Sequence, residues 1–90
     1  MTTAMKKINI DLSQIDESGV AFEFCIPQDA AKQKEVAAID ASIEFYKGVP
    51  GRIRCAREQI LCIGQHGTRE VLLKLTSLDY IERIEPFYGE

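Results

Sequence analysis

Apolar and polar residues alternate most clearly over residues 20–26, which predicts a half-buried strand. The apolar side of this strand carries Val20, Phe22, Phe24 and Ile26. Residues 6–12 alternate more weakly, and the turn-forming residues 16–19 separate the two segments. We therefore expect two amphipathic strands that pair as a hairpin.

A helix is predicted to follow Pro27, from residue 28 or 29 to about residue 47. At 100° per residue it presents one narrow apolar stripe, made of Val36, Ile39, Ile43 and Tyr46. The back of this helix carries apolar residues instead of charges, namely Ala38, Ala41 and Phe45. The back is either a set of helix-favouring alanines with one exposed phenylalanine, or a second contact surface between subunits.

Residues 52–65 alternate again, and they predict a β-hairpin with its tip at residues 56–59. In such a hairpin Cys55 and Cys62 lie on the same face, which is the better candidate for the core. The opposite face is mixed and is either solvated or in contact with a partner; it carries Arg52, Arg54, Leu61 and Ile63. A helix over residues 51–63 is the alternative, because the apolar residues there also fit a helical spacing.

The last third of the chain predicts a helix and a final strand. Gly64 and Gly67 are expected to bracket a turn, and Thr68 is a suitable N-cap for a helix that ends near residue 80. Its apolar face consists of Val71, Leu72, Leu75 and Leu78. A strand over residues 82–88 follows, and Pro86 places it at a sheet edge, because proline has no N–H to donate to a neighbouring strand.

From residue 20 onward these elements follow the order strand, helix, strand, strand, helix, strand. This order predicts a two-layer α+β fold, with a mainly antiparallel sheet and two helices on one face, in the ferredoxin-like arrangement. The first strand of that arrangement already has two neighbours, so an extra N-terminal strand requires a variant strand order or a place elsewhere. We expect one domain over residues 6–90 and a flexible tail over residues 1–5.

Composition narrows the function classes. The chain has 90 residues, 46% hydrophobic and 28% charged, with a net charge of −3. Its size leaves little room for a deep enzyme cleft, so we predict no catalytic residues. Without a block of like charge, nucleic-acid binding is not expected. No apolar run is long enough to span a membrane, and the first residues lack a secretory signal. Three cysteines, an odd number, fit a reducing compartment, so we predict a cytoplasmic location without disulfides.

Two small clusters are candidate ligand sites. Cys55, Cys62 and His66 are potential zinc or iron ligands, or a thiol-redox site, but the C-x6-C-x3-H spacing lacks the close cysteine pairs of a typical zinc site. Buried cysteines that act as small apolar residues are the simpler interpretation. A candidate anion site combines a helix N-terminus with nearby guanidinium groups; its residues are Arg52, Arg54, Arg57, Thr68 and Arg69.

The pattern favours a non-enzymatic interaction or regulatory module without a cofactor. We expect it to associate with itself, as a dimer, or with another protein, because apolar and aromatic residues recur on faces that the predicted core does not use. The predicted interface consists of Ala38, Ala41, Phe45, Leu61, Ile63, Phe87 and Tyr88. Phe45→Glu or Leu61→Glu is expected to weaken association and preserve the fold. The alternative function is metal binding or thiol-redox chemistry at Cys55, Cys62 and His66.

Overall fold

The computed structural model describes residues 8–15 and 17–87, which form an α+β fold. The elements are a 3₁₀ turn at Leu12–Gln14, β1 (Val20–Pro27), α1 (Ala30–Ile39), β2 (Glu44–Lys47), β3 (Gln59–Gly67), α2 (Arg69–Thr76) and β4 (Glu85–Pro86). The four strands form one antiparallel sheet in the order β2-β3-β1-β4. The predicted α+β class and antiparallel sheet are therefore confirmed.

The main core lies between the two helices and one face of the sheet. Phe22 and Phe24 of β1 are fully buried there, and their rings stack with centroids 5.9 Å apart. Val36 of α1 and Leu72 of α2 belong to the same cluster, so both helices cover this face. The alternation of β1 was thus interpreted correctly, because its even-numbered residues face the core.

Two glycines of β3 make room for a phenylalanine ring. A Cβ atom on Gly64 would lie 2.2 Å from Cζ of Phe22, and one on Gly67 would lie 2.6 Å from its Cδ1. Both distances are far below van der Waals contact, so a larger residue at either position requires the ring to move. The predicted turn between Gly64 and Gly67 is wrong, since both residues lie within β3.

Helix α1 is much shorter than the sequence pattern predicts. It ends at Ile39 because Asp40 leaves the helical region, with φ −151° and ψ 103°. The Asp40 carboxylate then accepts hydrogen bonds from the backbone N–H and the hydroxyl of Ser42, which fixes a turn. The chain therefore enters β2, and Phe45 is a strand residue and not part of a helix back.

The hairpin predicted over residues 52–65 is also wrong, as is the helix alternative. Of this segment only the part from Gln59 onward is a strand, and its hairpin partner is β2, with Phe45 opposite Cys62. Residues 48–58 form the connecting loop. Gly48, Gly51 and Arg54 adopt positive φ angles in this loop, and the Cys55 N–H donates to the Pro50 carbonyl at 2.8 Å.

The N-terminal segment is not a strand of the sheet within its described part. Ile8 makes a single parallel bridge to Ile84, and the Asn9 N–H donates to the Ile84 carbonyl at 2.9 Å. The segment then turns into the 3₁₀ helix at Leu12–Gln14. It therefore lies beside the chain that leads into β4, and the predicted hairpin with β1 is wrong.

The C-terminal third agrees better with the sequence. The Thr68 hydroxyl accepts a hydrogen bond from the Val71 N–H at 3.2 Å, so the predicted N-cap of α2 is confirmed. The helix ends at Thr76, one turn earlier than predicted. The final strand is only Glu85–Pro86, and it lies at the sheet edge, as the proline indicated.

Candidate functional site

The outer face of the sheet, opposite the helices, is covered by the connecting loop of residues 48–58. Ile53 and Cys55 of this loop pack on Leu61 of β3 and form a second apolar cluster, with each of the three at most 7% exposed. A disulfide between Cys25 of β1 and Cys55 fastens the loop to the sheet. The central strands are therefore covered on both faces.

The disulfide corrects the prediction that all three cysteines are thiols. It also removes the cysteine-based argument for a reducing compartment, because disulfides persist mainly in oxidising environments. The third cysteine, Cys62, is completely buried in the main core. Burial raises the pKa of the Cys62 thiol to about 12, so almost no reactive thiolate forms at neutral pH.

The predicted metal ligands are not brought together. Cys55 and Cys62 lie on opposite faces of the sheet, in different apolar clusters, and His66 is exposed near the end of β3. Over residues 8–15 and 17–87, no three His, Cys, Asp or Glu side chains are grouped so that they could hold a metal ion. The cysteine pair that does meet is Cys25 with Cys55.

The predicted anion-binding residues are also divided. Arg52 and Arg54 lie in the loop on the outer face, whereas Arg69 begins α2 and donates to the Leu12 carbonyl at 3.2 Å. The Thr68 hydroxyl is engaged as the helix cap. Arg57 lies further along the loop, where its carbonyl accepts a hydrogen bond from Gln28. The five residues therefore do not line one common site.

The predicted interface residues occupy several different environments. Leu61 is 2% exposed beneath the loop, and Ile63 packs partly against the same cluster. Ala38 is exposed near the end of α1, and Ala41 is exposed in the turn that follows. Phe87 is half-buried, with its N–H bonded to the Ala21 carbonyl at 3.1 Å. Tyr88 lies outside the described residues.

The open edge of the sheet is the first candidate site. On one side β2 pairs with β3, and on its other side no strand is present in the described part of the chain. Tyr46 is 38% exposed there, and its hydroxyl donates to Glu44 Oε1 at 2.5 Å. This hydrogen bond raises the pKa of Tyr46. Phe45 is half-buried against the main core, and Val49, 44% exposed, follows the strand.

A buried carboxyl group on the outer face marks the second candidate site. Glu23 of β1 is 1% exposed, with Glu85 of β4 and Ile63 of β3 as its register partners. The loop passes directly above it, so that a Cβ atom on Gly51 would lie 3.1 Å from Glu23 Oε1. The backbone N–H of Ile53 lowers the pKa of this carboxyl group. Among the described residues, Oε1 itself has no hydrogen-bond partner.

Beside this carboxyl group, charged side chains of both signs line a cavity of about 240 Å³. The cavity is lined by Glu23, Arg52, Ile53, Arg83, Glu85 and Pro86. Arg83 donates to the Ile53 carbonyl at 2.5 Å and forms an ion pair with Glu85 at 3.4 Å. Burial raises the pKa of Glu23 and Glu85 raises it further, whereas Arg52 and Arg83 lower it.

Both candidate sites contain residues that the sequence interpretation did not select. Glu23 lies on the polar side of a clear amphipathic strand, where solvent exposure is the normal expectation. The only feature of the sequence that could have indicated burial of Glu23 is its position between two phenylalanines, in a strand that lies in the centre of the sheet. The sequence predicts Tyr46 on the core-facing stripe of a long helix. Because α1 ends at Ile39 instead, Tyr46 lies in the edge strand β2.

Comparisons with known proteins add no functional information. None of the helices in the described residues is long and apolar enough to cross a membrane. No protein-family model, no curated protein sequence and no solved structure was found to match this chain.

Proposed function

We propose that this chain is a non-enzymatic interaction module that associates with a second copy of itself through the open edge of β2. The observation that carries the proposal is the difference between the two edges of the sheet. Beyond β4, Ile8 and Asn9 lie against Ile84. The β2 edge has no such cover in the described ranges, and unpaired edge N–H and C=O groups readily bond to another strand.

The side chains of β2 suit pairing with a second copy. A two-fold axis perpendicular to the sheet gives an antiparallel pair and keeps each face on its own side, so residues of equal parity oppose each other. If Tyr46 opposes Tyr46 of the second copy, Phe45 opposes Lys47, which combines an aromatic ring with a cation. If Phe45 opposes itself, Glu44 faces the Tyr46 hydroxyl, repeating a hydrogen bond made within one chain.

We also propose that the fold is ferredoxin-like. The proposal is supported by the element order from β1 to β4, by the antiparallel strand order β2-β3-β1-β4 and by the position of both helices against one core. The N-terminal segment lies outside β4, so it does not disturb the neighbours of β1. This arrangement implies no activity, because ferredoxin-like folds carry many functions.

The test of self-association is sedimentation velocity over a wide concentration range, with a matched pair of variants. Tyr46→Lys adds a charge at the open edge, whereas Leu73→Lys adds the same charge on α2 at a residue of nearly equal exposure, 39% against 38%. We expect the wild type and Leu73→Lys to form dimers and Tyr46→Lys to remain monomeric with an unchanged circular dichroism spectrum. A monomeric wild type, or equal dimerisation of all three proteins, would refute the proposal.

The alternative, metal or thiol chemistry at Cys55, Cys62 and His66, is not the function that we favour, because the structure separates these residues. Thiol chemistry retains one supporting observation, the Cys25–Cys55 bond. If native mass spectrometry of protein purified without chelators detected bound zinc, this result would support the metal-binding alternative. The cytoplasmic location stays a prediction, and a bond between Cys25 and Cys55 in protein isolated under thiol-blocking conditions would argue against it.

A further inference from the structure

The two cysteines of the disulfide differ in their access to solvent. Cys55 is buried beneath the loop of residues 48–58, whereas Cys25 is half-buried and lines a pocket of about 80 Å³. This pocket has room for several water molecules, and hence for the thiol group of a small molecule, but not for the surface of a protein. Cys25 is therefore the half of the bond that a small reagent meets first.

The charges of this pocket favour a thiolate. Arg54 and Arg83 line it together with one acidic residue, Glu82, so positive charge is in excess. A neighbouring cation favours the thiolate over the thiol, and the thiolate is the form that attacks a disulfide. Arg83 also forms an ion pair with Glu85, which makes the exposed Arg54 the better residue to vary.

The contacts of the loop set it apart from the rest of the fold. In the outer apolar cluster the loop is represented by Ile53 and Cys55, and Cys55 is part of the disulfide. Arg83 and Gln28 donate side-chain hydrogen bonds to two loop carbonyls. The structure describes all of residues 48–58, and none of them belongs to the main core. Opening of the loop therefore leaves the main core in place.

Two features of the closed loop favour its opening. Arg54 has a φ angle of 66°, in the left-handed region that is costly for a residue with a side chain. Gly51 lies above Glu23 Oε1, which is buried without a hydrogen-bond partner among the described residues, and water reaches this oxygen when the loop lifts. Once the disulfide is cut, a fraction of the molecules is therefore expected to open at this loop.

We propose that the Cys25–Cys55 bond is a thiol-exchange site, at which low-molecular-weight thiols entering beside Arg54 control the opening of residues 48–58. The thiolate of the small molecule attacks Cys25 Sγ, forms a mixed disulfide with it and expels Cys55 as a thiolate, which takes a proton from water. A second thiolate attacks the sulfur of the first small molecule and releases Cys25, which is protonated in turn. The protein gains two electrons and two protons, and two thiol molecules become one disulfide. This site does not depend on pairing at β2.

The first experiment tests whether exchange takes place on the folded protein. Reduction by 2-mercaptoethanol is followed at several urea concentrations below the unfolding transition, by mass spectrometry of acid-quenched samples. We expect a rate that hardly changes with urea and a mixed disulfide that forms mainly on Cys25. A rate that rises in proportion to the unfolded fraction, or a mixed disulfide mainly on Cys55, would overturn the proposal.

A matched pair of variants tests the route of the thiol. With the anionic thiol thioglycolate, Arg54→Gln should slow reduction by about two- to fivefold, the range expected for an exposed charge pair. Arg57→Gln removes the same charge from an exposed position of the same loop outside the pocket, and it should leave the rate unchanged. Equal rates for the two variants would exclude entry beside Arg54 and overturn this assignment.

The second experiment measures opening of the loop by trypsin, on protein that is reduced and then desalted under argon. Trypsin cleaves after arginine and lysine, and the loop offers sites at Arg52, Arg54 and Arg57, with control sites in the helices at Lys34 and Lys74. Because cleavage follows the population of the open form, reduction should raise the loop rate by about tenfold or more. The rates at the two helix sites should change much less, and the circular dichroism spectrum should remain that of a folded protein.

The double variant Cys25→Ala/Cys55→Ala is the control for the reduction step. It should be cleaved in the loop at the fast rate with or without prior treatment with reductant, and the reduced wild type remains informative if this variant does not fold. Unchanged loop cleavage after reduction, an equal rise at Lys74, or loss of the folded spectrum on reduction would overturn the proposal.

Discussion

Removal of the Cys25–Cys55 bond should destabilise the protein by an amount that follows from the length of chain it closes. The two cysteines are 30 residues apart in sequence. The loop-closure relation then gives roughly 3.5 kcal/mol of stabilisation, because the bond limits the conformations of the unfolded chain. A domain of this size is stable by about 5–15 kcal/mol in total, so the bond accounts for a large part of it. We expect a fall of roughly 15–25 °C in Tm.

The assay is urea unfolding followed by far-UV circular dichroism, on three samples of the same concentration. These are the oxidised wild type, the reduced wild type and the double variant Cys25→Ala/Cys55→Ala. Both samples without the bond are expected to unfold at lower urea, and added reductant should not change the double variant. A difference between oxidised and reduced wild type below about 1 kcal/mol would refute the loop-closure argument.

Two further predictions concern buried groups. Gly64→Ala should destabilise the fold by about 1–3 kcal/mol, because the added Cβ would lie 2.2 Å from the Phe22 ring. In a Phe22→Leu background the same substitution should destabilise the fold less, as measured by urea unfolding. Equal destabilisation in the two backgrounds would contradict the steric argument. Because the pKa of Glu23 is raised, the native state binds a proton on this carboxyl group more tightly than the unfolded chain does. The stabilisation that the protonated carboxyl group provides is therefore complete below the unfolded pKa of about 4.5, and it is lost as the pH rises through the higher folded pKa. The stability of wild type relative to Glu23→Gln should therefore fall over that interval, and parallel stability curves for the two proteins would contradict it.

The sequence predicted an element correctly where a single local pattern was present. The strict alternation around Phe22 and Phe24 identified β1, and Thr68 followed by an apolar stripe identified the start of α2. Local signals failed where two of them competed. The apolar stripe through Ile43 favoured a continuing helix, while the hydrogen bonds from Ser42 to Asp40 favoured a turn, and the turn prevailed.

Other features depend on contacts between distant parts of the chain. The sequence predicts a turn at Gly64, since glycines commonly mark turns. The actual role of Gly64 is to make room for Phe22 on another strand, and this role leaves no local pattern in the sequence. Cys25 and Cys55 meet only because the loop of residues 48–58 folds back over the sheet. The same loop buries Glu23, which its position on the polar side of β1 marked as exposed. The cavity beside Glu23 could therefore not be predicted from the periodicity of apolar residues.

The cover over the β4 side of the sheet sets a limit on growth of any assembly. A sheet with two open edges can add copies at both and extend into a fibre, whereas a sheet with one open edge stops when that edge is filled. Ile8 and Asn9 lie against Ile84, so the chain that leads into β4 already has a bonded neighbour in the described residues. Pro86 reinforces this in β4, since it has no N–H to offer an incoming strand. If copies associate through β2, as proposed above, we therefore expect a closed pair and not a polymer.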